Sequence, residues 1–390
     1  MSQFISPKNI YHGKGSLSNL EGILTDLQVQ KVFLVTDPML KELGVIDPLL
    51  EQLSNLNKKV EVVTDVVPEP PLEVGNKVVE KVRKSQADLV IGVGGGSALD
   101  LAKAAAVLAK NDGAIEDYLN LSGEKKLTNK GLPKVLIPTT AGTGAEITDI
   151  AVFSLEDTKD VITHEFLLAD YAIVDPVLTY TLPPKVTAAS GADALTHAIE
   201  AYTSINATPL TDTLALDAMN RIINHIRTAV WNGKDKEARE QMSLGSLIAG
   251  MSFYNAGVAG VHGLAYPLGG LFKIPHGESN AVLLPYVYDY IWPSCLKKMT
   301  NIANVFNLPT DGKNERDIAL DVVQSLQKLV KDVGLPTTIS EYNITAADID
   351  RLTENGIKQT RLLKRSPKPL DREAVKEIYT NAYEGKRTNF

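Results

Sequence analysis

Two domains of different class are predicted by this sequence. Residues 1–183 form an α/β part on a mostly parallel sheet, and residues 184–390 form an all-helical part. Three observations predict this. Short β-branched runs alternate with amphipathic helical patterns through the first half, and after about Pro183 only the helical period remains. A chain of 390 residues also exceeds what one hydrophobic core usually serves.

The β-rich runs are KVFLVTD (31–37), KVEVVTDV (59–66), ADLVIGV (87–93), KVLIPTT (134–140) and YAIVD (171–175). They are continuous rather than alternating, as strands covered on both faces are. Between the early ones lies PLEVGNKVVEKVRKSQ (71–86), apolar at helical spacing. Leu182-Pro183-Pro184 marks the boundary, because proline suits the first turn of a helix. Beyond it PKVTAASGADALTHAIEAYTS, TDTLALDAMNRIINHIRTAV and ERDIALDVVQSLQKLVKDVG are all helical in period, and no repeat or low-complexity tract appears.

Bulk properties narrow the function. The composition, 44% hydrophobic and 22% charged, is that of an ordinary globular protein. A net charge of −7 gives no electrostatic reason to bind nucleic acid or an anionic membrane. One cysteine, Cys295, excludes an intrachain disulfide and a thiolate metal cluster, which fits a reducing cytoplasm. Any bound metal therefore needs nitrogen and oxygen ligands. The first residues, MSQFISPKNIYHGKG, lack the apolar core of a signal peptide. Residues 241–272 carry no Lys, Arg, Asp or Glu and are long enough to span a bilayer. Seven glycines, Asn255, His262 and Pro267 interrupt them, so they are expected as buried helices instead.

ADLVIGVGGGSALDLAKAAAVLAK reads as a strand, a glycine run and a helix, with Ser97 at an N-cap place. Gly94, Gly95 and Gly96 let a ligand approach the backbone, and the free N–H groups of a helix start attract phosphate. The usual Rossmann fingerprint follows the first strand, with an acid about twenty residues later. Here the glycines follow the third predicted strand, and the strand-end acid, Asp37 in LVTDP, comes earlier. An acid there accepts from an adenosine ribose 2′-OH and repels a 2′-phosphate. A second small-residue loop, PTTAGTGAE (138–146), brings Thr139, Thr140 and Thr143 to the end of the next strand. Two such loops suit a dinucleotide across the carboxyl edge of a Rossmann-like sheet.

In SGADALTHAIEAY, Asp193 and His197 stand four residues apart and share one helix face. Such a pair is ordinarily a solvated surface feature, but Ala192, Leu195, Ala198 and Ile199 argue for burial, where a carboxylate needs a strong partner. His262 and His276, each followed by glycine, lie fourteen residues apart. One straight helix would separate them by roughly 21 Å at ~1.5 Å per residue. They meet only if the chain reverses, for which Pro267, Gly269, Gly270 and Pro275 supply the break. An Asp and three His form a thiolate-free set suited to Fe(II), Zn(II) or another first-row divalent ion. With one carboxylate the centre carries a charge of about +1 and acts as a Lewis acid on an alcohol or carbonyl oxygen.

Taken together, GGGSALDLAK, PTTAGTGAE, GADALTHAIEAY, VHGLAYPLGG and IPHGESNAVLLP resemble the iron-containing, or group III, alcohol dehydrogenases. The resemblance runs nearly end to end. It implies a nucleotide-binding domain, a helical metal-binding domain and a catalytic cleft between them, with NAD(P)-dependent interconversion of alcohols and carbonyls. It implies Fe(II), sometimes zinc, held by Asp193, His197, His262 and His276. It places the diphosphate on Gly94, Gly95, Gly96 and Ser97 with Asp100 alongside, and the second cofactor loop on Thr139, Thr140 and Thr143. It sets Lys159 and Leu182 against the nicotinamide half, matches Asp37 to members that prefer NAD, and implies a homodimer or larger homo-oligomer.

Three positions depart from the family pattern. Tyr266 stands where many members carry a proton-relay histidine, Ala145 replaces a serine, and Ser366-Pro367-Lys368 replaces Asn-Pro-Arg. A phenol ordinarily titrates near ~10, a poorer match to neutral proton transfer than imidazole. Tyr266 is therefore expected either to pass the proton as a hydrogen-bonding hydroxyl or to line the pocket, with water or the cofactor ribose completing the relay. Phe253, Tyr254 and Asp149 are candidates to line the substrate pocket. The alternatives are a related polyol (glycerol-type) dehydrogenase, a dehydroquinate-synthase-like cyclase, a metal-free maleylacetate reductase and a non-catalytic nucleotide sensor. The complete Asp-His-His-His set speaks against all four.

Overall fold

The structure, a computed structural model, describes residues 3–156 and 158–387. They divide into two compact units, one over Ser6–Thr181 and one from Leu182 onward together with the lead-in up to Ile5. The lead-in joins the helical unit because Asn255 grips it, its side chain accepting the Ile5 N–H at 2.6 Å and donating to the Ile5 carbonyl at 2.9 Å.

The first unit contains strands β1 (Asn9–His12), β2 (Lys31–Thr36), β3 (Lys59–Val63), β4 (Leu89–Gly94), β5 (Lys134–Pro138), β6 (Ile150–Ser154), β7 (Lys159–Thr163) and β8 (Tyr171–Val174). Six of them form one sheet in the order β1-β8-β5-β4-β2-β3, and every neighbouring pair is parallel. The five anticipated runs are β2, β3, β4, β5 and β8. Strand β1 and the antiparallel hairpin β6–β7 were not anticipated.

Both faces of the sheet are covered. Phe33 and Val35 join Val78, Val79 and Val82 of the Leu72–Ser85 helix and the apolar residues of the Gly96–Leu108 helix. Their alternates Val32 and Leu34 pack with Leu20, Ile23 and Leu24 on one helix and Leu49 and Leu53 on another. The chain leaves β2 toward β3, then crosses back over β2 to β4. That reversal opens a crevice at the carboxyl ends of β2 and β4, where α/β sheets characteristically take ligands.

The second unit is helical. Its first helix, Pro184–Thr203, starts with proline in the first turn and is buried along most of its length. The helices Pro209–Trp231, Lys236–Ala256, Gly260–Phe272 and His276–Ile291 follow. Among the described residues no single helix is long and apolar enough to cross a membrane. The uncharged stretch spans two helices bent by 103°, both carrying many buried residues within this unit.

Candidate metal centre and cofactor loops

Asp193 and His197 lie one turn apart on the Pro184–Thr203 helix, and Glu200 follows on the same face; all three are buried. His262 is the third residue of the Gly260–Phe272 helix, and His276 opens the His276–Ile291 helix. The reversal between them is sharp, with ring centroids 5.3 Å apart. Its cause differs from the expected one. Pro267, Gly269 and Gly270 remain inside the first helix, and Lys273 makes the turn. Lys273 takes φ 56°, sends its N–H to the Gly269 carbonyl and its ammonium to the Gly270 carbonyl at 2.8 Å. This left-handed cap satisfies the end of the helix, so the glycines need not break it. Pro275 then precedes the next helix.

Three of the four predicted ligands, Asp193, His262 and His276, bring donor atoms together. The Asp193 Oδ1 lies 3.6 Å from His262 Nε2 and 3.7 Å from His276 Nε2. One donor atom from each of Asp193, His262 and His276 fits within 4.8 Å of the others. His197 stands beside this trio, its ring stacked on His262 at 4.6 Å and on Phe253 at 4.2 Å. Burial opposes the Asp193 charge, but His197, His276 and His262 outweigh it and hold the carboxyl well below its ordinary range. Burial likewise opposes a charged His262, yet the adjoining Asp193 and Glu200 carboxylates raise it to about 9. The His276 side chain, 30% exposed, is the open side of the group. The Tyr266 ring lies near His276, their centroids 6.3 Å apart.

These residues fit a divalent ion. His262 Nε2 is buried without a hydrogen-bond partner, beside a carboxylate and a second imidazole nitrogen. Uncompensated burial of such an atom is costly, and a cation among the three donors removes the cost.

Two neighbours escaped the sequence reading. Glu200 accepts the His262 Nδ1–H at 2.5 Å and the Val261 N–H at 2.6 Å. Asn280 donates through Nδ2 to Asp193 Oδ1 at 2.7 Å, with His276 Nε2 at 3.2 Å. Glu200 falls three residues after His197 and Asn280 four after His276, spacings that share a helix face and were the available signal. Phe253 stacks on His197, and within the α/β unit the Asp149 carbonyl accepts the His164 N–H.

At the carboxyl edge of the sheet the two loops lie side by side. The Thr139 N–H donates to the Gly94 carbonyl at 3.0 Å, and a Cβ on Gly96 would sit 3.0 Å from the Thr143 methyl. Gly94 adopts φ 152°, and a Cβ there would lie 2.7 Å from that of Ala98. Thr140 faces Gly95. The helix N-cap is Gly95 rather than Ser97. Ser97 sits within the first turn, and its hydroxyl accepts the Glu69 N–H at 3.1 Å. Asp37 follows β2 directly and caps a short helix, accepting the Met39 N–H at 2.7 Å.

The remaining cofactor candidates hold intramolecular partners. Asp100 pairs with Lys103 at 2.8 Å and accepts the Val152 N–H, tying β6 to the glycine-loop helix. Lys159 pairs with Glu69 at 2.8 Å. Leu182 belongs to the helical unit, where its carbonyl accepts from Arg239 at 3.0 Å.

A family description of iron-containing alcohol dehydrogenases matches residues 7–176, and that of the family's C-terminal domain matches residues 187–383. The chain belongs to the iron-containing alcohol dehydrogenase family. Long-chain-alcohol dehydrogenase 1 of Geobacillus thermodenitrificans is 52% identical, over 99% of this chain and 98% of that one. Among solved structures, a 1,3-propanediol oxidoreductase superposes with a TM-score of 0.94 at 33% identity, covering 98% of this chain and 100% of the other. The sulfoacetaldehyde reductase of Bifidobacterium kashiwanohense, solved with NAD+, gives a TM-score of 0.87 at 28% identity over 98% of both chains. As an iron-containing alcohol dehydrogenase, the chain is an NAD-linked alcohol oxidoreductase of a family that uses a divalent metal. The polyol-type and non-catalytic alternatives are not favoured.

Proposed function

We propose that this enzyme interconverts aliphatic alcohols and aldehydes, longer alkyl chains included, with NAD(H) and Fe(II); Zn(II) is the second choice of metal. The observation that carries this reading is the convergence of Asp193, His262 and His276 donor atoms, with His197 stacked alongside. We assign Asp193, His197, His262 and His276 as the ligands. When bound, a divalent ion supplies Lewis-acid polarisation of the substrate oxygen. Residues 241–272, which contribute His262 and Phe253, are uncharged and suit an alkyl chain better than an anionic substrate. The relative that is 52% identical is named for long-chain alcohols.

Gly94, Gly95, Gly96 and Ser97 present main-chain N–H groups at a helix start, the place for a diphosphate. Thr139, Thr140 and Thr143 line the adjoining edge, and Asp37 at the end of β2 favours NAD over NADP. Asp100 and Lys159 support these loops through Lys103 and Glu69, and Leu182 contributes through its main chain. The enzyme is proposed to act in the cytoplasm as a homodimer or larger homo-oligomer, its single buried cysteine being consistent with a reducing compartment.

Alcohol oxidation releases a proton as well as a hydride, and Tyr266 stands beside the open ligand His276. Tyr266 is assigned a pocket-lining role, with solvent removing the proton. Tyr266→Phe is expected to retain kcat within several-fold with an unchanged pH–rate profile. A loss of about 10²-fold would instead make the hydroxyl a proton carrier.

Protein purified without oxygen and offered an alcohol and aldehyde panel tests the whole reading. NAD-dependent turnover should exceed that with NADP, vanish on chelation and return with Fe(II). No turnover across the panel, or full activity after complete metal removal, would refute it.

A further inference from the structure

The geometry points to Glu200 as a positioning residue of the metal centre, selecting which His262 nitrogen is offered to the metal; this rests on the ligand assignment above. A carboxylate only accepts hydrogen bonds. Because Glu200 lies 2.5 Å from His262 Nδ1, a proton is held on that nitrogen, and in the neutral ring that binds a metal the lone pair is on Nε2. Nε2 is the atom that is buried without a partner and faces Asp193 at 3.6 Å. The same carboxylate holds the backbone carrying the ring, accepting the Val261 N–H at 2.6 Å, with the His262 N–H at 3.4 Å. The Gly260–Phe272 helix has no side-chain cap of its own, since Ala259 occupies the cap position. Glu200 supplies one from the Pro184–Thr203 helix, where negative charge meets the positive end of the helix dipole. Tautomer, ring direction and helix start are thus set by one side chain that is 1% exposed.

A helix cap alone needs acceptors; tautomer selection needs a group with no donor. Glu200→Gln separates the two. Glutamine offers one acceptor and one donor to two donors, so either the Val261 N–H loses its partner or His262 moves its proton to Nε2. Carboxylate partners of ligating histidines typically contribute 10–100-fold in metal affinity.

The test uses the full metal-depleted chain, titrated at pH 7 with Zn(II) against a chromophoric chelator. Parent, Glu200→Gln, Glu200→Ala and Asp193→Asn are compared, with thermal midpoints of the metal-free forms. The expected result is 10–100-fold weaker Zn(II) binding by Glu200→Gln, with native secondary structure by circular dichroism. Should Glu200→Ala fail to fold, Glu200→Gln decides alone. A Glu200→Gln protein that binds within twofold of parent, while Asp193→Asn has lost the ion, reduces Glu200 to a helix cap and overturns the inference. If Asp193→Asn binds as tightly as parent, the ligand assignment itself has failed, and the inference with it.

Discussion

Asp193→Asn is expected to leave a folded protein with almost no alcohol dehydrogenase activity. Asp193 is the one carboxylate of the donor trio; the other two donors are imidazole nitrogens. Asparagine keeps the size and one acceptor oxygen but removes the charge opposing a divalent ion. Lewis-acid stabilisation is worth several kcal/mol, and a thousandfold fall in kcat/KM corresponds to about 4 kcal/mol. A loss of that order or larger is expected, with no metal retained after gel filtration. The metal-free proteins provide a second readout. The Asp193 carboxyl is held below its ordinary range, so its contribution to stability is present above the unfolded carboxyl pKa and is lost as pH falls. The variant should therefore be less stable than parent at neutral pH, and the gap should narrow below about pH 3.9. Metal content and kcat/KM both near parental values would remove Asp193 from the site.

Much of this architecture was legible because burial leaves patterns in sequence. β2, β4 and β5 are buried on both faces, so they read as unbroken apolar runs. β1 has only four residues and no fully buried position, which leaves the text without a strand signal. The hairpin strands are five residues each, and β6 is held by polar contacts of Asp100 with the Val152 N–H and of Lys103 with the Ile150 carbonyl. At the site, ligand spacing was informative because four residues set one helix face, and a fourteen-residue gap demanded a reversal. The means of reversal was not legible. Proline and glycines look like breakers, yet tertiary packing holds Pro267, Gly269 and Gly270 in a buried helix while Lys273 turns the chain. Glu200 was missed because an acid on a helix reads the same whether it meets water or an imidazole. Only the paired helix shows which.

Why each histidine precedes a glycine has a physical answer, and the answer differs between the two. A Cβ on Gly277 would lie 2.4 Å from the Ala189 carbonyl oxygen and 2.8 Å from its carbon. Those are backbone atoms of the Pro184–Thr203 helix, so no rotamer change relieves the clash. Gly277→Ala must separate the two helices by about 1 Å, and overpacking of this kind costs about 1–3 kcal/mol. The same shift moves His276, the preceding residue, away from Asp193 Oδ1, now 3.7 Å from its Nε2. Misplacement by about 1 Å can cost 10²-fold in rate. Gly277→Ala is therefore expected to lower the thermal midpoint, weaken metal retention and reduce kcat/KM by about 10²-fold. Gly263 is a milder case, because its Cβ would meet the Leu363 Cδ2 methyl at 3.0 Å, the end of a side chain that can yield. Gly263→Ala should stay within about tenfold of parental activity, the loss of roughly 1 kcal/mol that a yielding contact allows. Paired thermal melts and steady-state assays decide the matter. Parental behaviour of Gly277→Ala would mean that the close approach of these helices does not position His276, while equal damage from both variants would point to a general intolerance of β-carbons after the ligands.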